Sequence, residues 1–127
     1  MDLTIVIVSF KSGEILHRCL ESIHKDLQII VIENSIDNNF KIELETKYKN
    51  VKCILPEQNL GYGAGNNLGI NLAKSNYVLI LNPDTILYEN TISNLMYQAN
   101  LIKDFAIIGP KIVENDIQAK LKEKIDF

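Results

Sequence analysis

Leu79-Ile80-Leu81-Asn82-Pro83-Asp84-Thr85 is the stretch on which the fold class turns. It closes an apolar run from Tyr77 to Leu81 that reads as a buried strand, with a carboxylate just past its end. In an open α/β sheet, ligands bind in the crevice outside the carboxyl ends of the strands. Pro83 fixes one backbone dihedral, so Asp84 is presented in a small, defined place. Its hard oxygens there suit Mg²⁺ or Mn²⁺. Aspartate is also common in turns and at helix caps, so the neighbouring segments must decide between the two readings.

Working outward, the same pattern recurs. Leu3 to Val8, Gln28 to Ile32 and Val51 to Leu55 are short apolar, β-branched runs of the kind found in strands buried on both faces. Phe105 to Ile108 reads as a fifth strand, broken by Gly109-Pro110. Helical spacing separates these runs. Ile15, Leu16, Cys19, Leu20 and Ile23 form one stripe, with Glu14, Arg18, Glu21 and Ser22 opposite. Phe40, Leu44 and Tyr48, four residues apart, predict a short helix over 40–48. A long loop holding Gly61, Gly63 and Gly65 leads to a helix whose inner stripe is expected to be Ala64, Leu68 and Leu72. Asn90 is placed to cap a helix that buries Ile92, Leu95, Met96 and Ala99. Strand and helix in alternation, with short connections, predict an α/β fold: a mainly parallel sheet sandwiched by helices. A small hairpin over 111–118 and a tail over 119–127 complete the expectation, giving one domain over 1–118.

Composition narrows the function. The chain has 127 residues, 46% of them hydrophobic and 23% charged, which is enough for one domain with a real core. A net charge of −3 and a single arginine, Arg18, offer no basic surface for nucleic acid. No apolar run approaches the roughly 20 residues of a membrane span. Met1 leads directly into a strand pattern rather than a signal peptide. A cytoplasmic protein, touching membranes through other proteins, is expected. Cys19 and Cys53 lack ligand or disulfide spacing and read as reduced core residues. His17 and His24 are expected to be solvated or capping.

Three polar clusters each follow a strand: Ser9-Phe10, Glu33 to Asp37, and Asn82 to Asp84. Parallel strands put their carboxyl ends on one edge, so the clusters should converge in one crevice. Gly61-Tyr62-Gly63-Ala64-Gly65-Asn66-Asn67 is not a dinucleotide fingerprint. Its third glycine comes one residue early, and the stretch follows the third strand rather than the first. A nicotinamide or flavin domain is therefore disfavoured. What remains is a loop that can approach a ligand closely, feeding a helix N-terminus suited to an anion.

The order of these segments resembles the family 2 nucleotide-sugar glycosyltransferases, inverting enzymes of the GT-A, Rossmann-like fold. The matching segments are Ile5-Val6-Ile7-Val8-Ser9-Phe10, Val31-Ile32-Glu33-Asn34-Ser35-Ile36-Asp37, the stretch Asn59 to Ile70, Leu81-Asn82-Pro83-Asp84, and Gly109 to Gln118. Two departures stand out: Glu33 where aspartate is usual, and Asn82 where the first aspartate of the D-x-D pair is usual. The N-P-D form is similar to that of a rhamnosyltransferase-like subgroup acting on cell-surface polysaccharides.

The resemblance implies roles for individual residues. Ser9 and Phe10 would line the base and ribose pocket. Glu33 would hydrogen-bond the nucleobase or ribose, with Asp37 supporting its loop. Asn59, Gly61 and Asn67 would shape the floor under the nucleotide. Asn82 would contact the nucleotide-sugar, and Asp84 would hold Mg²⁺ or Mn²⁺ against the diphosphate. A UDP-, dTDP- or GDP-linked sugar would be the donor and a glycan or lipid-linked hydroxyl the acceptor. The general base would belong to an acceptor-binding half beyond the residues matched here. This predicts a donor-binding half with surface free for self-association. The alternative is a catalytically incomplete nucleotide-sugar-binding or scaffold module.

Overall fold

The computed structural model describes residues 1–110. Its elements run β1 (Leu3–Ser9), α1 (Gly13–Glu21), β2 (Gln28–Glu33), α2 (Asn38–Lys47), β3 (Val51–Ile54), α3 (Gly61–Leu72), β4 (Tyr77–Ile80) and α4 (Thr91–Ile102). The four strands pair in parallel in the order β3-β2-β1-β4. Every residue of β1 is buried, as its unbroken apolar run requires of a central strand.

The order sets the geometry. From β1 the chain steps outward through β2 to β3, then returns across the sheet to β4 on the other side of β1. Right-handed crossovers put α1 and α2 on one face and α3 on the other. The α3 face is built on Val6, Val8, Ile30 and Ile32, with Leu68 of the helix packed against them. The opposite face holds Ile5, Ile7 and Val31, all fully buried.

α1 and α2 are joined by a polar staple. His17 is buried, with Nδ1 2.9 Å from Tyr48 Oη and Nε2 2.8 Å from Glu43 Oε1. The expectation of a solvated His17 is thereby corrected: its ring lies between two helices and finds partners on the second. His24 is exposed, as expected, and both cysteines are free and buried.

The glycine stretch departs from expectation. It is not a loop but the first turns of α3, which begins at Gly61. The inner face is Gly65, Asn66 and Gly69, while Ala64 and Leu72 are exposed. A Cβ on Gly69 would overlap the Val6 side chain, and one on Gly65 would come within 3.0 Å of Val8. The helix lies so close to β1 that only hydrogen atoms fit between them.

Phe105 to Ile108 forms no strand among the described residues. A run of four apolar residues has no periodicity that separates a strand from irregular chain, and Ala106 and Ile107 are exposed here. The expected hairpin over 111–118 and the tail lie outside the described residues. α4 belongs to a second compact unit that starts at Tyr88. Asn90 stands at its N-cap, Ile92 and Ala99 are buried, and Leu95 and Met96 are half-buried.

Candidate functional site

Strand order reverses between β1 and β4, and at their carboxyl ends a cleft of about 770 Å³ opens. This is the switch point at which doubly wound sheets bind ligands. The end of β1 contributes Phe10, Lys11 and Ser12 to its wall. The end of β4 contributes Asn82, Pro83 and Asp84. Asn59, Gly61 and Tyr62 come from the start of α3, and Asn34 from the end of β2.

Local bonds fix each wall. Asn34 is buried and staples the α3 start: its Nδ2 donates to Gly61 O at 3.0 Å and its Oδ1 accepts from Leu60 N at 3.2 Å. Asn59 Oδ1 accepts from Gly61 N at 2.9 Å. Gly61 has φ +74°, a left-handed conformation open to glycine at little cost. The Tyr62 hydroxyl donates to Asn82 Oδ1 at 2.7 Å, tying the helix start to the β4 loop. Beneath that loop, the Cys19 thiol donates to Asn82 O at 3.7 Å. Burial, with a smaller contribution from the Asp84 charge, pushes the Cys19 thiol up to about 11, so it stays a neutral donor.

The structure brings Phe10, Asn59, Gly61, Asn82 and Asp84 together in this cleft. Four other expected site residues stand elsewhere, and strand parity explains two of them. Side chains alternate between faces along a strand. Ser9 shares its face with Ile5 and Ile7, and it is in register with Glu33. Both are fully buried. Glu33 accepts from Ser9 Oγ at 3.2 Å, from Ser35 N at 2.9 Å and from Ser35 Oγ at 2.5 Å. Its carboxylate thus ties the ends of β1 and β2 from below the rim rather than lining the cleft. Asp37 is the N-cap of α2, accepting from Phe40 N at 3.0 Å. Asn67 is exposed on α3 and does not line the cleft; its neighbour Asn66 is the buried one.

Lys11, Ser12, Asn34 and Tyr62 line the cleft without having been singled out by the sequence reading. Parity carried a signal for Asn34, which follows the inward-facing Glu33 and so must turn the other way. Lys11 and Asp84 are the ionisable acid and base groups of the wall beside the Tyr62 phenol. Among the described residues, no three His, Cys, Asp or Glu side chains gather as a metal cage. Asp84 alone fits a Mg²⁺-type ion, which keeps several waters and takes other ligands from substrate phosphates.

A carboxylate just beyond β4 and a cleft at the reversal of a parallel sheet mark an α/β protein of the doubly wound kind. β4 itself, expected to be buried, is only half-buried with Ile80 exposed, because it is an outer strand of the described sheet. The chain belongs to glycosyl transferase family 2, whose family model matches residues 4–122. It is 29% identical over 119 residues to the low-salt glycan biosynthesis hexosyltransferase Agl10 of Haloferax volcanii, covering 91% of this chain and 38% of that protein. It is 30% identical over 114 residues to the glycosyltransferase GlyG of Streptococcus pneumoniae, covering 84% and 38%. Against the poly(ribitol-phosphate) β-N-acetylglucosaminyltransferase TarP of Staphylococcus aureus it is 28% identical, covering 87% and 37%. The fold matches the crystal structure of residues 1–349 of S. aureus TarS with a TM-score of 0.68 at 16% identity, covering 91% of this chain and 40% of that one. The chain thus spans about two-fifths of the length of these relatives. Among the described residues, no helix is long and apolar enough to cross a membrane.

Proposed function

We propose that this chain is the donor-binding part of an inverting glycosyltransferase. It would take a sugar from a UDP-, dTDP- or GDP-linked donor and pass it to a glycan or lipid-linked hydroxyl in surface polysaccharide assembly. The observation that carries this reading is the position of Asp84: just beyond β4, in the wall of the switch-point cleft, in a family 2 chain. The relatives' names, one of which specifies glycan biosynthesis and another a poly(ribitol-phosphate) glycosyltransferase, support the polysaccharide setting.

The residues divide the donor between them. Phe10, 52% exposed at the end of β1, offers a ring face on which a planar base can stack. Asn34 and Asn59 hold the α3 start in place, and the exposed Asn59 offers its amide N–H groups to ribose hydroxyls. Asp84, with phosphate oxygens and water, would hold Mg²⁺ or Mn²⁺. When bound, such an ion supplies positive charge to the departing diphosphate. In the reaction the acceptor oxygen bonds to the anomeric carbon as the bond to the diphosphate oxygen breaks. The electron pair leaves with the nucleoside diphosphate, and the acceptor proton passes to a base. Glu33 and Ser9 set the rim from below.

The test is calorimetric titration of the chain with UDP, dTDP and GDP, with and without Mg²⁺ or Mn²⁺. At least one nucleotide should bind more tightly with metal, and Asp84→Ala should remove that increment. Absence of nucleotide binding at every metal concentration sinks the reading. A second reading, a binding module without turnover, is favoured by one observation: among the described residues, Asp84 is the one carboxylate in the cleft wall.

A further inference from the structure

We propose that Lys11 is a second anchor for the donor's diphosphate, so that part of the binding needs no metal. This rests on the donor-binding reading above and deepens it.

Charge balance is the first argument. A nucleoside diphosphate sugar carries negative charge on each phosphate. Among the described residues, the cleft meets it with one carboxylate, Asp84, and a neutral Asn82 beside it. Asp84 fits a divalent ion only together with the substrate's phosphates and water, and it repels those phosphates whenever the ion is absent. Lys11 is the cationic side chain in that wall. Its ammonium cancels the Asp84 charge and makes the empty cleft neutral rather than anion-repelling.

Backbone geometry is the second argument. Lys11 sits directly after β1 and Phe10 with φ +50°. That left-handed region disfavours a residue with a long side chain, and such outliers gather at ligand sites. The turn aims a lysine where glycine or asparagine would sit more easily.

Availability is the third. The ammonium lies 5.3 Å from the Phe10 ring centroid, a contact that positions it without using its hydrogen-bond donors. Among the described residues no carboxylate forms an ion pair with it. Across the cleft, Tyr62 occupies Asn82 Oδ1, which leaves Asn82 its amide N–H groups to offer. Lys11 and Asn82 thus present donors, as an anion requires.

The experiment is calorimetry on the 127-residue chain with UDP, dTDP, GDP, inorganic pyrophosphate and the free nucleosides. Each is titrated in EDTA and again in Mg²⁺. Lys11→Gly relieves the positive φ while deleting the charge, so its thermal midpoint should be no lower than the parent's. Its affinity for nucleoside diphosphate and pyrophosphate should fall about tenfold in EDTA, the scale of one charge-assisted hydrogen bond. Binding should also become less sensitive to salt. Lys11→Arg should stay within about threefold of the parent, since it keeps the charge but not the point geometry. Nucleosides should not distinguish the variants. The inference is overturned if the parent binds nucleoside diphosphate and Lys11→Gly matches it in affinity and salt dependence. It is equally overturned if parent binding is strictly metal-dependent and indifferent to Lys11. If the parent binds no nucleotide in Mg²⁺, the donor-binding reading fails first and this one with it.

Discussion

Gly69 and Gly63 belong to the same helix and should respond in opposite ways to the same methyl group. At Gly69 a Cβ overlaps the Val6 side chain in the middle of β1, where neither backbone has room to retreat. Overpacking of this kind costs about 1–3 kcal/mol, more than the helix gains from losing a glycine. At Gly63 a Cβ meets nothing within 4 Å, so Gly63→Ala should stabilise by about 0.5–1 kcal/mol. Denaturant midpoints of the two variants check both signs, and a stable Gly69→Ala would mean that α3 does not lie against β1 as described. The i, i+4 spacing of Gly61, Gly65 and Gly69 is visible in the sequence. A search for large apolar side chains instead selects Ala64, Leu68 and Leu72, because contact through an absent side chain has no hydrophobic signature. The buried thiols carry a second residue-scale prediction. Burial, above all, pushes Cys19 up to about 11 and Cys53 up to about 12, against 9.0 for a free thiol. The folded state therefore keeps protons that the unfolded chain releases. This contribution is fully present below pH 9 and is lost as pH rises through about 11 to 12. Unfolding midpoints should fall across that window, and less steeply in Cys53→Ala. Thiol reagents at neutral pH should label neither cysteine until the chain unfolds.

At the scale of elements, β3 is an outer strand of the described sheet, and α2 closes its edge. Glu45 Oε1 accepts from Cys53 N at 2.9 Å, and Lys41 Nζ donates to Cys53 O. The two side chains also pair with each other at 3.1 Å across one helical turn. Together they satisfy the N–H and C=O that a further strand would take, which is how natural sheets discourage edge-to-edge association. Glu45→Ala should cost about 1 kcal/mol, the scale of one hydrogen bond, and should promote concentration-dependent association through β3. Scattering during thermal unfolding measures both effects, and an unchanged midpoint with no added association refutes the clasp. Its pH dependence follows from Glu45, whose pKa is held below the ordinary 4.5 chiefly by the Cys53 N–H. A lowered folded pKa gives stability that is present above the unfolded value and lost as pH falls through the folded one. The clasp should therefore weaken below about pH 4.5, and this pH dependence should be absent in Glu45→Gln, whose amide oxygen can still accept from Cys53 N. β1 and β2 were legible in the sequence because strands buried on both faces need unbroken apolar runs. β4 was placed correctly by its apolar run but is only half-buried, with Ile80 exposed, because it is an outer strand of the described sheet. The clasp was not, since an i, i+4 Lys–Glu pair looks like any solvated helix face until α2 is laid along β3.

For the whole molecule, convergence of the three polar clusters was legible because parallel strands share one carboxyl edge. Which members reach the cleft was decided by register and parity: Phe10 and Asn34 turn into it, whereas Ser9 and Glu33 turn beneath it. The result is a chain equipped unevenly for its reaction. Among the described residues its cleft wall has two aromatic rings, amides, one cation and one carboxylate, the set proposed above to grip a donor. Transfer also needs a base on the acceptor hydroxyl, and among the described residues the one carboxylate in the wall is Asp84, which we assign to the diphosphate end. A positioned general base is worth roughly 10²- to 10⁴-fold in rate. The 127-residue chain should therefore bind nucleoside diphosphate in calorimetry yet release it from a nucleotide-sugar, with an acceptor present, at least about 10²-fold more slowly than a full-length family member. On the proposed reading, Asp84→Asn should weaken the metal-dependent part of binding and slow that release further, because the ion it would hold supplies charge to the departing diphosphate. Rapid multiple turnovers by the chain alone would show that a base from elsewhere in these 127 residues reaches the cleft. Binding and chemistry would then be properties of one domain rather than of two halves meeting over the same sugar.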